Sequence, residues 1–155
     1  METPELSFAE QLDRFRTTTK SYTCRGLILP GTRQPDTAAL LIGALKPASV
    51  AFLLTAETQS MPQQVAALLG CDGSDWQQPA GDHLTVTQIY QALKDLLQHW
   101  SHLSPQSIAV DVTGGMKPMS VGLAKAAHVL NLTTVYVHSR AFHQNKPVPG
   151  TQYLE

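Results

Sequence analysis

Val110–Leu130 reads VDVTGGMKPMSVGLAKAAHVL. Ile108, Val110 and Val112 mark a strand, and Thr113, Gly114, Gly115, Met116 and Lys117 follow it directly. Met119, Leu123, Ala126, Ala127 and Leu130 then fall on one face of a helix. The two glycines permit backbone conformations closed to other residues and let a ligand approach the chain closely. Pro118 suits a first helical turn, so unpaired helix N–H groups lie beside the glycines. A helix start attracts anions, and Lys117 adds a full positive charge. The stretch therefore predicts a strand-to-helix junction that holds a phosphate or an anion of that size.

Working outward, strands alternate with helices. Ser7-Phe8-Ala9-Glu10 has the form of a capping box, with Phe8, Leu12 and Phe15 at helical spacing behind it. Gly26-Leu27-Ile28-Leu29 reads as a first strand, ended by Pro30-Gly31. After the polar loop Thr32-Arg33-Gln34-Pro35-Asp36, a helical pattern runs through Ala38, Leu41, Ile42 and Leu45. Val50–Leu54 suits a buried parallel strand. The polar loop Thr55–Thr58 and a helix begun by Ser60 and closed by Gly70 come next. The polar segment Cys71–Asp82 leaves room only for a short edge strand. Val86, Ile89, Leu93, Leu96 and Trp100 trace one face of a long helix. Thr134–Val137 reads as another strand, and Thr151–Leu154 as a last one after the turn at Pro149-Gly150. This order predicts an α/β fold, a doubly wound Rossmann-like, mainly parallel sheet with helices on both faces. Residues 1–23 read as an N-terminal helical segment and 24–155 as the Rossmann domain.

Composition narrows the function classes. The chain has 155 residues, 43% hydrophobic and 15% charged, as expected of one globular domain. A formal net charge of −1 argues against broad binding to duplex nucleic acid, although a few donors can still hold a small anion. Cys24 and Cys71 have no paired spacing. No apolar run approaches the roughly 20 residues of a membrane span, and METPELS is too polar for a signal peptide. The expectation is a cytoplasmic protein without membrane contact.

In a doubly wound sheet, ligands bind beyond the carboxyl ends of the strands. The loops Gly31–Asp36, Thr55–Thr58 and Thr113–Lys117 should then open on one edge. A Walker A loop is excluded, because it needs a longer loop and a hydroxyl after the lysine, and GxGxxG is absent.

Asp111-Val112-Thr113-Gly114-Gly115-Met116-Lys117-Pro118-Met119 resembles the D-x-T-G-G-T-K-x-M signature of CRISPR-associated Rossmann-fold (CARF) sensor domains. Leu53–Thr58 and the first strand with its polar loop also sit where that family has them, so the resemblance spans Cys24 to Glu155. Met116 departs from the family's frequent threonine and loses any hydroxyl contact there. The resemblance implies a homodimer that binds a cyclic oligoadenylate across its two-fold axis in type III CRISPR antiviral defence. Thr113, Gly114, Gly115, Met116 and Lys117 would face ribose and phosphate. Gly31, Thr32 and Arg33 would line the cradle, with Glu57 and Thr58 near an adenine. Some members of the family cut the ring without metal or cofactor, a ribose 2′-hydroxyl attacking the adjacent phosphate to leave a 2′,3′-cyclic phosphate. Lys117 would then stabilise the developing charge, assisted by Thr32 or Arg33.

Other polar residues have plainer readings. Asp111 late in a strand holds the following loop, rather than doing acid–base work. His99 and His102 mark a solvated helix end. His138 and His143 follow the strand at Thr134–Val137 and could edge the site, but they lack a third partner at metal-binding spacing. Trp76, Trp100 and Met119 are packing residues. Two alternatives remain open: the sensing part of a larger nuclease or transcription regulator, and a nucleotide or phosphosugar enzyme on the same fold.

Overall fold

The computed structural model describes residues 6–19, 22–32, 34–81, 83, 85–113, 117–140, 142–143, 146–147 and 149–155. Helix α1 (Phe8–Thr19) opens with the Glu10 N–H donating to Ser7 Oγ at 3.2 Å, which is the expected cap. Strand β1 (Gly26–Pro30) leads into α2 (Pro35–Leu45), and β2 (Ser49–Leu53) into α3 (Met61–Leu69). The loop expected over Gly31–Asp36 is shorter than the sequence suggested. Proline has the φ of a first helical turn, and an acidic side chain is favourable there, so Pro35 and Asp36 join α2. Gly70 ends α3 at φ 69°, the left-handed conformation that costs glycine nothing. Helix α4 (Val86–His99) carries a capping box between Thr85 and Gln88, and Trp100 is its C-cap. Strand β3 (Ile108–Asp111) then feeds α5 (Lys117–Val129), and β4 (Thr133–Val135) follows.

These strands form a four-stranded sheet in the order β2-β1-β3-β4, and each paired neighbour is parallel. Leu27 lies opposite both Val50 and Ala109, and Ile28 opposite Ala51 and Val110. Because side chains alternate across a strand, this register sorts the apolar residues onto two faces. Leu27, Leu29, Val50, Phe52 and Val135 meet α1, α2 and α3 on one side. Ile28, Ala51, Leu53, Ile108 and Val110 meet α4 and α5 on the other. The doubly wound arrangement with helices on both faces is therefore observed.

Among the described residues, the segment after α3 supplies a single-residue bridge. Gln77 pairs with Ala51 at the sheet edge, its N–H donating to Val50 and its carbonyl accepting from Phe52. Trp76 packs on Phe52 with ring centroids 5.4 Å apart.

The strand expected over Thr134–Val137 is divided at Tyr136. Its parallel partner β3 ends where Asp111 faces Val135, so the chain beyond that point takes a different partner. It continues as β5 (Val137–Ser139), then β6 (Phe142–His143) and β7 (Lys146–Pro147), which pair as a short antiparallel ladder. Strand β8 (Gln152–Leu154) pairs antiparallel with β5, and Tyr136 and Glu155 exchange both backbone hydrogen bonds beside them. Helix α1 closes over this region. Phe15 is 1% exposed in the core shared with α2, and Thr18 Oγ1 accepts the Leu154 N–H at 3.3 Å.

That contact set yields a stability prediction. Phe15→Ala should cost about 3–5 kcal/mol, the usual loss for a buried phenyl ring. A urea midpoint unchanged from the parent chain would show that α1 contributes nothing to the core.

Candidate functional site

In the order β2-β1-β3-β4 the chain runs outward one way from β1 to β2, then returns to β3 on the opposite side of β1. The crevice at this reversal lies beyond the carboxyl ends of β1 and β3. Helix α2 begins just past the first of these ends and α5 just past the second. Gln34, the N-cap of α2, makes no side-chain capping bond. Two helix amino termini with their N–H groups thus flank one crevice, an arrangement that favours negative charge.

Gly31 explains how the loops after β1 and β2 come together. Its N–H donates to Leu53 O at 2.7 Å, and a Cβ at this position would lie 2.9 Å from Thr58 Cβ. Only glycine permits that approach. Thr58 is itself buried, and its Oγ1 accepts the Thr55 N–H at 2.9 Å, closing the single 3-10 turn Ala56–Thr58. Glu57, on the same turn, is exposed. Thr32 Oγ1 accepts the Gln34 N–H at 2.8 Å and donates to Gln34 O at 3.0 Å. The Thr32 N–H points to Met61 Sδ at 3.2 Å. These bonds tie Thr32 to Gln34 at the start of α2 and to Met61 at the start of α3.

The loop after β3 is anchored from below. Asp111 is 2% exposed, and its Oδ1 accepts the Thr113 N–H at 2.8 Å. Burial pushes the Asp111 carboxyl up to about 6, while its backbone and side-chain hydrogen bonds with Thr113 pull the other way. The Thr113 hydroxyl also accepts the Val137 N–H at 2.8 Å. Asp111 thus holds the loop, as expected, and Thr113 spends its hydroxyl on the protein. Lys117 stands exposed at the first position of α5.

The sequence-predicted site residues are therefore brought to one edge where they can be described: Gly31 and Thr32 after β1, Glu57 and Thr58 after β2, Thr113 and Lys117 around the loop after β3. Arg33, Gly114, Gly115 and Met116 lie outside the described residues. Of the six, Lys117 and Glu57 present exposed side chains, whereas the hydroxyls of Thr58, Thr113 and Thr32 serve loop geometry. Sequence reasoning missed Tyr136 and Tyr153, whose rings flank His138 beside this edge, and Arg140, whose guanidinium lies over Tyr153. The signal was there in Tyr136, His138 and Arg140, spaced by two along one extended segment.

The buried carboxyl gives a pH prediction. Asp111 binds its proton more tightly folded than unfolded, so its share of stability is present at low pH and is lost as pH rises from about 4 through about 6. The slope is at most about 1.4 kcal/mol per pH unit. Asp111→Asn keeps an acceptor for the Thr113 N–H and should flatten this part of the curve in urea titrations. Parallel curves for parent and variant would refute the assignment.

No family model and no curated protein matches the chain. Solved structures do match in fold. Can2 from Sulfobacillus thermosulfidooxidans, in complex with cyclic tetra-adenylate, is 16% identical over 82% of this chain, with a TM-score of 0.60. Csm6 from Enterococcus italicus, bound to cyclic hexa-2′-fluoro-hexa-dAMP, is 14% identical over 79% of it, with a TM-score of 0.56. The chain spans about a third of each, 33% and 35% respectively. Among the described residues, no helix is long and apolar enough to cross a membrane. The strand-to-helix motif at Asp111–Met119 and the sheet that carries it thus point the same way: the chain has the α/β fold of these two proteins and resembles the CRISPR-associated Rossmann-fold domains.

Proposed function

We propose that this protein binds a cyclic oligoadenylate, cyclic tetra-adenylate in first place, as a cytoplasmic component of type III CRISPR defence. The observation that carries the reading is the pair of helix amino termini, α2 and α5, flanking the β1–β3 crevice with Lys117 exposed at its rim. A cyclic oligoadenylate offers one phosphodiester anion per nucleotide, which suits a crevice that attracts negative charge without a basic surface. The fold shared with chains solved on such rings supports the choice of ligand.

In this reading Lys117 pairs with a phosphate oxygen, and the backbone of Thr113 to Lys117 lies along ribose and phosphate. Gly31, Thr32 and Arg33 form the facing wall, and Glu57 with Thr58 borders a base. A two-fold homodimer would present the same loops to both halves of a ring. If the ring is cut, a ribose 2′-hydroxyl attacks the neighbouring phosphorus, the 5′-oxygen leaves, and a 2′,3′-cyclic phosphate remains. Lys117, with Arg33, would stabilise the charge that builds on the phosphate oxygens, and the Thr32 hydroxyl would join them by giving up its bond to Gln34. A second reading has the same domain acting as the sensing part of a longer effector. It is favoured by the small share of the solved chains that this domain covers.

Lys117→Ala should weaken binding of cyclic tetra-adenylate about ten- to a hundredfold, as expected for one charge-assisted contact, with the melting temperature unchanged. Equal affinity of parent and variant in a calorimetric titration would end the assignment. Incubating the parent with labelled rings in EDTA then separates the outcomes: an intact retained ring marks a sensor, and linear products with 2′,3′-cyclic phosphate ends mark a ring nuclease.

A further inference from the structure

The antiparallel ribbon β5–β8 has two unlike faces. Val137 and Leu154 turn inward to the core that α1 covers. Between and beyond them, Tyr136, His138 and Arg140 alternate onto the outer face, and His138 is paired with Tyr153 across the ribbon. The rings are in contact. Tyr136 and His138 have centroids 4.5 Å apart, and His138 lies nearly parallel to Tyr153 at 5.2 Å, 16° between planes. The Arg140 guanidinium sits over Tyr153 at 5.0 Å from its centroid. His138 Nε2 pairs with the Glu155 carboxylate, which fixes the imidazole in its plane. This surface is open: Tyr136 is 41% exposed, and the His138 side chain 36%.

Its position ties it to the anion crevice. Val135 and Val137 belong to the core on the α1–α3 side, so Tyr136 and His138 turn to the opposite side of the sheet, where α5 packs. The ribbon continues β4 past the carboxyl edge, the edge at which α5 begins with Lys117. The Val137 N–H bond to Thr113 Oγ1 fastens the ribbon to the loop after β3. An aromatic surface topped by a guanidinium therefore stands directly beside the site proposed for phosphate.

We infer that the outer face of this ribbon, with Tyr136 as its open ring and Arg140 as its cation, is a stacking surface for a nucleobase of the ligand held at the β1–β3 crevice. The inference rests on the reading given under Proposed function and adds the purine subsite to it. A base offers a flat π-face to a tyrosine ring or a guanidinium, and such stacking tolerates the backbone geometry that phosphate contacts impose. The guanidinium also complements the phosphodiester of the same nucleotide. The Tyr136 ring already packs against His138, which lowers the side-chain freedom to be lost on binding.

The test uses the full chain and cyclic tetra-adenylate carrying 2-aminopurine, whose fluorescence is quenched on stacking. Tyr136→Ala should lower affinity roughly tenfold and relieve the quenching of the bound ring, while Tyr136→Phe keeps both. Arg140→Ala should weaken binding in the same sense. Both side chains are exposed, so the melting temperature should stay unchanged. If the ring binds in a Lys117-dependent way and Tyr136→Ala leaves affinity and quenching as they were, the stacking surface is refuted and the anion site stands. If no ring binds to the parent chain, both fall.

Discussion

Strand β1 is hydrogen-bonded on both sides to parallel neighbours, and the rest of the molecule follows from that. Parallel pairing sends the carboxyl ends of β1, β2 and β3 to one edge, so the loops that follow them meet there. Having β2 on one flank and β3 on the other means the connecting helices cover opposite faces, α2 with α3 and α4 with α5. β1 is then buried on both sides, which is why Leu27, Ile28 and Leu29 are all fully enclosed. A crevice between diverging connections is the geometric result.

Within that crevice the chain holds polar groups at some cost in order to fix loops. Asp111 gives up hydration in a buried position and recovers part of it through its bonds with Thr113. Thr113 in turn accepts from Val137, so strand β3, the loop before α5 and the C-terminal ribbon form one hydrogen-bonded unit. Thr58 does the same for the turn after β2, and Gly31 makes room for it. What reaches the rim is then a small set of exposed groups, above all Lys117 at the first position of α5.

Much of this was legible in the residues. Ser7 with Glu10, and Gly70, bound their helices through local chemistry that needs no tertiary contact. Apolar periodicity found the long helix α4 because its buried face, Ile89, Leu93 and Leu96, repeats at helical spacing. The reading failed where local pattern does not decide. Thr134–Val137 looks like one strand, yet its pairing changes at Tyr136 because β3 ends and β8 begins to pair. The roles of Thr58 and Thr113 were equally hidden, since a hydroxyl that faces ligand and one that holds a loop are the same letter.

By itself the sequence determined the alternation of strands and helices, the glycines at the strand ends and the position of Lys117 at a helix start, because each of these is set by neighbours within a few residues. Only the tertiary structure decided which strands are adjacent, that α2 and α5 open on one crevice, and that Tyr136, His138, Arg140 and Tyr153 share a surface beside it. The physical reason is pairing over long separations. Val137 meets Thr113, and His138 meets Tyr153, through hydrogen bonds and ring contacts whose partners no local spacing can name.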